Sequence, residues 1–389
     1  MNTTCMSNKG LFVTASVAAL CLLAVLPARL NAQAPQYSVT VLGGLGGNYT
    51  SAIGVNNSGK VFGVSYYPGN STQYAVVWNG TTPTALGDFG GGSAPYGINA
   101  SGQIVGVSSG DAVEWNGTTP TIITSSTSIS NAGARGINDA GVVVGAIAYP
   151  PTAIVPAVWS GPSLTVPVSL GGSLAVVRAI NNSGVYVGEA YNPGNTIDSP
   201  VVWYTPFGPT VLGSEGGNQS VASGINASGK IVGSSQPTGS SAYDAVLWDG
   251  IVPTVLGSLG GNNSQAYSIN ASGQVVGNSD TVLGGHTHGF LYNAGTMYDL
   301  NSIVQPGSGI ADIVIDPLAS PNSINDLGQI AAYGTSISNG ETEALLLTPI
   351  SGVPEPCTSG LAFAFALGAA ALLSRAPRRR RGQVANATT

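Results

Sequence analysis

Gly97-Ile98-Asn99-Ala100-Ser101-Gly102 is the most informative phrase of this sequence, because the chain repeats it, with small changes, seven times. The spacings between successive asparagines of the phrase are 43, 39, 43, 45, 44 and 55 residues. Units of this length are typical of propeller blades rather than of short solenoid coils. The seven asparagines are Asn56, Asn99, Asn138, Asn181, Asn226, Asn270 and Asn325.

Each phrase predicts a tight hairpin turn. Asparagine favours the first position of a type I turn and can cap it with its side chain, and a glycine three residues later readily takes the left-handed conformation. A short β-branched run with a glycine follows, as in Val275-Val276-Gly277. We expect this glycine to permit a close backbone approach where neighbouring blades converge.

A second landmark lies about 20 residues after each turn, at the spacing that a four-stranded unit implies. It contains all five tryptophans of the chain at one repeat position, for example in Ala112-Val113-Glu114-Trp115-Asn116. A large ring that recurs in this way indicates packing between blades rather than a binding site. The tryptophans are Trp78, Trp115, Trp159, Trp203 and Trp248.

The two ends of the repeat array predict a closed ring. A further strand phrase, such as Pro253-Thr254-Val255-Leu256-Gly257, brings each unit to four strands. The body opens with such a strand at Tyr37–Gly43, whereas the seventh unit stops after Leu345-Leu346-Leu347. The first strand can therefore complete the last blade and remove the open sheet edges. The predicted fold is an all-β propeller of seven four-stranded blades, closed by the N-terminal strand, with an insertion around 304–321 that the repeat does not place.

The composition supports turn-rich β structure and excludes several classes of protein. Of the 389 residues, 43% are hydrophobic, only 7% are charged and 56 are glycine. So little charge excludes a coiled coil, and so high an apolar fraction excludes a disordered chain. Between residues 35 and 352, sixteen acidic residues outweigh four basic ones, and the resulting formal charge of −12 would repel nucleic acid. The four basic residues are Lys60, Arg135, Arg178 and Lys230.

The N-terminus has the pattern of a secretory signal peptide. A polar start ending in Lys9 is followed by an apolar run over residues 10–26 and by the small residue Ala32. We expect cleavage after Ala32, which makes residues 1–32 the signal peptide; a retained membrane anchor is the alternative. The cysteines Cys5, Cys21 and Cys357 all lie outside 35–352, which excludes a disulfide framework and a thiolate site in the body.

The C-terminus, residues 353–389, carries a motif, an apolar run over residues 361–373 and a basic cluster in that order. The motif is Pro354-Glu355-Pro356, and the cluster is Arg378, Arg379, Arg380 and Arg381. Arginines favour the cytoplasmic side of a membrane, and the apolar run is shorter than a comfortable span. The pattern resembles the PEP-CTERM sorting signal, which implies processing by an exosortase in Gram-negative bacteria that make exopolysaccharide. The tail 382–389 departs from that family, and an ordinary single-pass anchor is the alternative.

The repeat unit resembles the HAF repeat of bacterial extracellular proteins. The closest copy is His288-Gly289-Phe290-Leu291-Tyr292, whereas other units replace the histidine and the phenylalanine. The resemblance covers nearly the whole of residues 35–352, but it implies no known activity and no functional residues.

A search for chemistry finds no catalytic set, no metal site and no cofactor motif. His286 and His288, with Asp280 nearby, are candidate metal ligands, but no third ligand recurs at a useful spacing. Asp111, Asp139 and Asp326 fall in different units and form no calcium loop. Glycoside hydrolysis needs two facing carboxylates, yet the acids are scattered singly. The nearest pair along the chain is Glu341 and Glu343.

Three functions follow as hypotheses. The first is a non-enzymatic, exported propeller at the cell surface or in the extracellular matrix. Its expected partners are the secretion machinery, an exosortase, and exopolysaccharide or surface proteins. Its C-terminal helix is expected to lie at least transiently in the membrane. The second is a lectin-like module that binds glycans. The third, a polysaccharide-active enzyme, requires acidic residues gathered at one mouth of the ring.

Overall fold

The computed structural model describes residues 34–69, 72–123, 132–149, 153–204, 208–282, 285–316 and 321–350. Within these ranges the chain forms 28 strands and one short helix. The predicted signal peptide (1–32), the motif Pro354–Pro356 and the cluster Arg378–Arg381 lie outside the described residues, as do both predicted terminal helices. Across the described ranges, no helix has the length and apolar character needed to span a membrane.

The strands follow the sequence repeat. The first three repeats, preceded by β1, give β1 (Tyr37–Leu42), β2 (Thr50–Val55), β3 (Val61–Tyr66), β4 (Gln73–Asn79), β5 (Thr82–Ala85), β6 (Ser93–Ile98), β7 (Ile104–Ser108), β8 (Asp111–Asn116), β9 (Thr119–Ile122), β10 (Ala132–Ile137), β11 (Val142–Tyr149), β12 (Ala153–Ser160) and β13 (Ser163–Thr165). The other four give β14 (Ala175–Ile180), β15 (Tyr186–Tyr191), β16 (Asp198–Trp203), β17 (Pro209–Val211), β18 (Gly216–Ile225), β19 (Ile231–Pro237), β20 (Asp244–Trp248), β21 (Pro253–Gly257), β22 (Gly260–Ile269), β23 (Val275–Thr281), β24 (Thr287–Asn293), β25 (Thr296–Asp299), α1 (Leu300–Ile303), β26 (Ile310–Val314), β27 (Ile330–Ser336) and β28 (Thr342–Pro349).

These strands form small antiparallel sheets in a propeller-like arrangement. Backbone hydrogen bonds divide them into five separate four-stranded sheets and one sheet of eight strands. Within the eight-stranded sheet, β16 and β18 are joined through a single parallel pairing of Asp198 with Gln219. The all-β prediction is therefore confirmed, with α1 the one helix in the described part of the chain.

The N-terminal strand completes the last sheet, as the ends of the repeat array predicted. β1 pairs antiparallel with β28 over six residues, from Tyr37 opposite Pro349 to Leu42 opposite Ala344. The sheet order is β1-β28-β27-β26, which joins the two ends of the body in one sheet. The pairing covers the edge of β28, which would otherwise present unpaired backbone groups.

The tryptophans pack between repeats, as their spacing predicted. All five are at most 3% exposed. Trp115 packs in one cluster with Phe62 and Leu86 of the preceding repeat. Its indole nitrogen donates to the Gly87 carbonyl, which follows that repeat's outer strand, at 2.7 Å. Trp78, Trp203 and Trp248 make the equivalent bond at 2.8–2.9 Å. In these four cases the indole joins neighbouring repeats and satisfies its own donor, whereas the buried Trp159 indole nitrogen has no hydrogen-bond partner among the described residues.

The glycines of the second strands do allow a close approach, but its location differs from the prediction. A Cβ on Gly277 would lie 1.9 Å from the Gln265 carbonyl oxygen, which belongs to the inner strand of the same sheet. The corresponding distance is 1.9–2.1 Å at Gly63, Gly106, Gly145, Gly188 and Gly233. The approach thus occurs within one sheet and not between blades. Its cause is a β-bulge in the inner strand, which displaces the neighbouring backbone.

The structure places much of the insertion that lengthens the last spacing. The insertion contains β26, which becomes the inner strand of the last sheet, and α1 directly precedes it. Asn301 holds the two together, since its Oδ1 accepts from the Ile313 backbone nitrogen at 2.8 Å. Asn278 of the sixth repeat fixes the backbone just after β26. Its Oδ1 accepts from the Ile315 nitrogen at 2.9 Å, and its Nδ2 donates to the Ile315 carbonyl at 2.8 Å. Residues 317–320 of the insertion lie outside the described ranges.

Candidate functional site at the centre of the ring

The repeated asparagines form the turns that the sequence predicted. In each turn the glycine three residues later has φ between 75° and 85° and donates to the asparagine carbonyl at 2.9–3.1 Å. The asparagine Oδ1 accepts from the backbone nitrogen four residues on, at 2.8–3.0 Å. Each side chain therefore caps its own turn.

The amide nitrogens of the same asparagines make a second, unforeseen set of bonds. Each Nδ2 donates to the backbone carbonyl of the next repeat's asparagine, and Asn325 donates to Asn56, so that seven bonds of 3.0–3.3 Å close a ring. The seven side chains are 3–6% exposed. We call this set of bonds the asparagine ring. It fixes the spacing of the inner strands around the central axis of the sheets. We call the space that the inner strands enclose the channel, and the asparagine ring lies at one end of it.

The depression over the asparagine ring is small and polar. Its volume is about 170 Å³, room for roughly five water molecules. Asp139 and Asp326 at its rim bond neighbouring turns, because they accept from Ala100 and Ala271 backbone nitrogens at 2.8 Å. These aspartates therefore act as links between repeats, and the depression is too small for a drug-sized ligand.

Aromatic, cationic and polar side chains lie towards the other end of the inner strands. Six inner strands contain a β-bulge at the third residue before the asparagine, and a bulge turns its extra side chain away from the regular pleat. The chemical character of this bulge position changes from repeat to repeat. The bulge residues are Ile53, Tyr96, Arg135, Arg178, Ser223 and Tyr267, and Asn322 is the equivalent in the seventh repeat.

Two of the four basic residues of the body occupy neighbouring bulge positions. Arg178 makes two bonds to Glu189, at 2.8 and 3.1 Å, and Glu189 is 6% exposed. The Arg135 guanidinium lies over the ring of Tyr96, 5.4 Å from its centre. Burial, and then the nearby Arg178 cation, lower the pKa of Arg135. An arginine nevertheless stays protonated in proteins, so both side chains are cations.

A carboxyl group that sequence reasoning did not single out lies beside this pair. The β15–β16 hairpin sets Asp198 opposite Tyr191, two residues beyond Glu189 and therefore on the same face of the sheet. Burial, with a further contribution from the Glu189 carboxylate, raises the pKa of Asp198 to about 7, although Arg178 opposes the shift. Its Oδ1 is buried and has no hydrogen-bond partner among the described residues.

A buried carboxylate from the insertion lies across the channel. Asp316 is 2% exposed and accepts from the Ser51 hydroxyl at 2.6 Å. Burial first, and the Asp316 carboxylate in addition, raise the pKa of four tyrosines, that of Tyr267 to about 12. The four are Tyr49, Tyr96, Tyr267 and Tyr333. Since they belong to the first, second, sixth and seventh repeats, Asp316 lies where the inner strands of distant repeats converge.

The histidines lie away from this cluster. His288 Nδ1 bonds Asp299 Oδ2 at 2.8 Å, and Asp299 Oδ1 also caps α1 by accepting from the Asn301 nitrogen at 2.9 Å. Asp280, which the sequence places near the two histidines, accepts from Asn263 and Thr287, both at 3.0 Å. The structure therefore does not bring His286, His288 and Asp280 together as a ligand set. In the described part of the chain, no three His, Cys, Asp or Glu side chains could hold a metal ion.

The acidic residues are only partly gathered. Glu341 adds to the effect of burial in raising the pKa of Glu343, so the nearest pair in sequence is also close in space. Asp139, Asp249 and Asp326 are exposed at turns. Glu189, Asp198 and Asp316 are buried or partly buried, and Glu189 is already paired with Arg178. These positions do not present two free, facing carboxylates of the kind that glycoside hydrolysis requires.

The chain resembles several solved structures, whereas neither a family model nor a curated protein matches it. Dipeptidyl peptidase 4 of Porphyromonas gingivalis is 11% identical with a TM-score of 0.40 over 75% of this chain, which spans about half (50%) of that protein. A Xanthomonas campestris gluconolactonase is 10% identical with a TM-score of 0.36, over 81% of this chain and 98% of that one. Likeness this distant carries no argument about activity.

Proposed function

We propose that this protein is an exported, non-enzymatic interaction module that binds its partner at the bulge end of the central channel. The change of side-chain chemistry at the bulge position carries this proposal. The asparagines and glycines of the turns recur in all seven repeats and the tryptophans in five of them, because turns and packing between repeats need them. The bulge position, by contrast, varies from aliphatic to aromatic to cationic among positions of equal backbone geometry, which is expected where side chains serve a ligand rather than the fold.

The proposed module has seven blades. The eight-stranded sheet counts as two blades, because a single parallel pairing joins two halves of four strands each. The seven members of the asparagine ring support the same number.

Export and surface sorting complete the proposal. Residues 1–32 direct secretion, and residues 353–389 act as a sorting signal for an exosortase-type enzyme, with exopolysaccharide or surface proteins as final partners. The body's formal charge of −12 argues against a polyanionic partner such as nucleic acid. We infer no cofactor and no catalytic residue.

Cell fractionation tests the sorting half. The full chain is compared with a chain ending at residue 352 and with a chain in which Arg378–Arg381 are replaced by glutamine. We expect wild type at the surface or in the medium, loss of processing in the glutamine variant, and release or retention at a different site in the truncated chain. Unchanged delivery and processing in both variants would refute the assigned role of residues 353–389.

A glycan ligand is the second candidate, and the tyrosines around Asp316 favour it, since aromatic rings beside hydrogen-bonding groups suit sugars. A glycan array with the purified protein, repeated with Tyr267→Ala, tests it. A binder that is lost with Tyr267 supports a glycan site at the channel, and an array without any binder rejects it.

A further inference from the structure

A cavity of about 560 Å³ opens beside the channel between the second, third and fourth repeats, a volume within the range of small-molecule sites. Most of its wall is aliphatic and includes Val107, Ala148 and Leu174. Its polar side chains are Tyr96, Arg135 and Glu189. The cavity therefore combines a large apolar surface with one cation and one anion.

Glu189 is already ion-paired, whereas Arg135 has no ion-pair partner among the described residues, although the nearby Glu189 carboxylate favours its charged form. Glu189 is held by two bonds from Arg178. Among the described residues, no carboxylate lies within 4.0 Å of the Arg135 guanidinium, and its recorded side-chain partner is the face of Tyr96. A guanidinium has five N–H donors at its edge, and stacking on a ring leaves that edge free. Arg135 is thus a partly buried cation that lines the cavity and has no carboxylate within ion-pair distance among the described residues.

We propose that this cavity binds a small monocarboxylate with an apolar body, whose carboxylate pairs with the edge of Arg135 and whose apolar part packs on Val107, Ala148 and Leu174. The inference rests on the binding role proposed above and names the ligand class for one part of that site. A planar guanidinium matches a carboxylate with two parallel bonds, and such charge-assisted bonds are among the strongest in proteins. Aliphatic walls favour a hydrocarbon group over a hydroxylated one, because burying unpaired hydroxyls is costly.

The acidity of the body agrees with this choice. Residues 35–352 carry a formal charge of −12, and this charge repels a polyanion along the whole length of the polyanion. A single carboxylate meets mainly the local charge in the cavity, since charges more than about 8 Å away through water are screened at physiological salt. The cavity therefore selects a monoanion.

Calorimetric titration of the purified full-length chain with four probes tests the proposal. Octanoate is the expected ligand, octanamide lacks the charge, glucuronate lacks the apolar body, and octanol lacks both charge and planar oxygens. We expect octanoate to bind at least about tenfold more tightly than each of the others, as the loss of a charge-assisted bond or of apolar burial predicts. Equal binding of octanamide or glucuronate, or no heat with octanoate, would overturn the proposal.

Variants locate the site. Arg135→Gln should weaken octanoate binding about tenfold or more. Ala148→Leu should weaken it by filling part of the cavity, without removing a charge. Lys230→Gln is the matched control, because it removes one positive charge from an exposed pair with Asp249, which is outside the cavity lining. Octanoate affinity that falls equally in Lys230→Gln, or that survives both cavity variants, would place binding elsewhere. Failure of the cellular sorting test leaves this titration unaffected, so the two proposals fail separately.

Discussion

Replacing Asn226 tests whether the asparagine ring stabilises the protein beyond the turns that it caps. The side chain is 5% exposed and makes four hydrogen bonds. Oδ1 accepts from the Ser228 nitrogen and hydroxyl and from the Lys230 nitrogen, at 3.1, 2.8 and 3.0 Å. Nδ2 donates to the Asn270 carbonyl of the next repeat at 3.0 Å. The oxygen of the side chain therefore serves only the turn, and the nitrogen serves only the asparagine ring.

Two substitutions use this separation. Asn226→Ala removes all four bonds and should lower the free energy of unfolding by about 3–4 kcal/mol, at roughly 1 kcal/mol for each bond. Asn226→Asp keeps an acceptor for the turn but, when ionised, has no donor for the Asn270 carbonyl. It also buries a charge, so we expect a loss of about 2–4 kcal/mol at pH 8. Protonation at pH 4 supplies a hydroxyl donor, and part of the loss should then disappear.

Urea unfolding followed by far-ultraviolet circular dichroism, at pH 8 and pH 4, measures these losses. Asn116→Ala is the control, because Asn116 is exposed at an outer turn and its replacement should change stability by less than about 0.5 kcal/mol. If Asn226→Asp is as stable as wild type at pH 8, the bond between repeats contributes nothing. If the loss is the same at both pH values, the missing donor is not its cause.

Two further predictions concern a carboxyl group and a glycine. Asp198 has a folded pKa of about 7 against a usual 3.8, so the unfolded chain loses this proton first and stability falls as pH rises from about 4 to 7. Asp198→Asn should flatten that part of a plot of stability against pH, and an unchanged slope would contradict the raised pKa. Gly277→Ala would put a Cβ 1.9 Å from the Gln265 carbonyl oxygen, whereas a Cβ on Gly133 would meet nothing within 4 Å. In thermal unfolding we expect Gly277→Ala to lower the free energy of unfolding by about 1–3 kcal/mol or more and Gly133→Ala to change it little. Equal melting temperatures for the two variants would show that the bulge relaxes freely.

The parts of the fold that the sequence predicted are those set by local chemistry. The turn at Asn99 follows from its own residues, because asparagine and glycine act over four positions. Trp115 was identified as packing because the same residue type recurs at one repeat position. The pairing of Tyr37–Leu42 with the last sheet followed from a strand phrase present at one end of the array and missing at the other.

The missed features depend on pairing between strands. Asp198 and Glu189 share a face only because β15 and β16 pair in one particular register. The bulge at Arg135 arises where Ala134 and Gly136 pair with consecutive residues of β11, which leaves one residue over. A usable signal existed for this position, since it always precedes the asparagine by three residues. At this position adjacent repeats carry Arg135 and Arg178, so the residues that differ between repeats, and not only those that recur, indicate a site with two neighbouring cations.

The paired arginines also explain how an acidic protein can hold a buried cation for a ligand. Arg178 and Arg135 occupy equivalent bulges in adjacent repeats, so the ring geometry alone would bring two like charges close together, and each would disfavour the other. Glu189 neutralises Arg178 from within the same repeat, which lowers the cost of holding Arg135 beside it. Had a second carboxylate paired with Arg135, the cavity would be neutral and would offer an anion nothing. Arg178 is therefore paired with a carboxylate, whereas Arg135, at the equivalent position of the adjacent repeat, is not. This difference between two equivalent positions, rather than the repeat itself, makes the cavity selective for an anion.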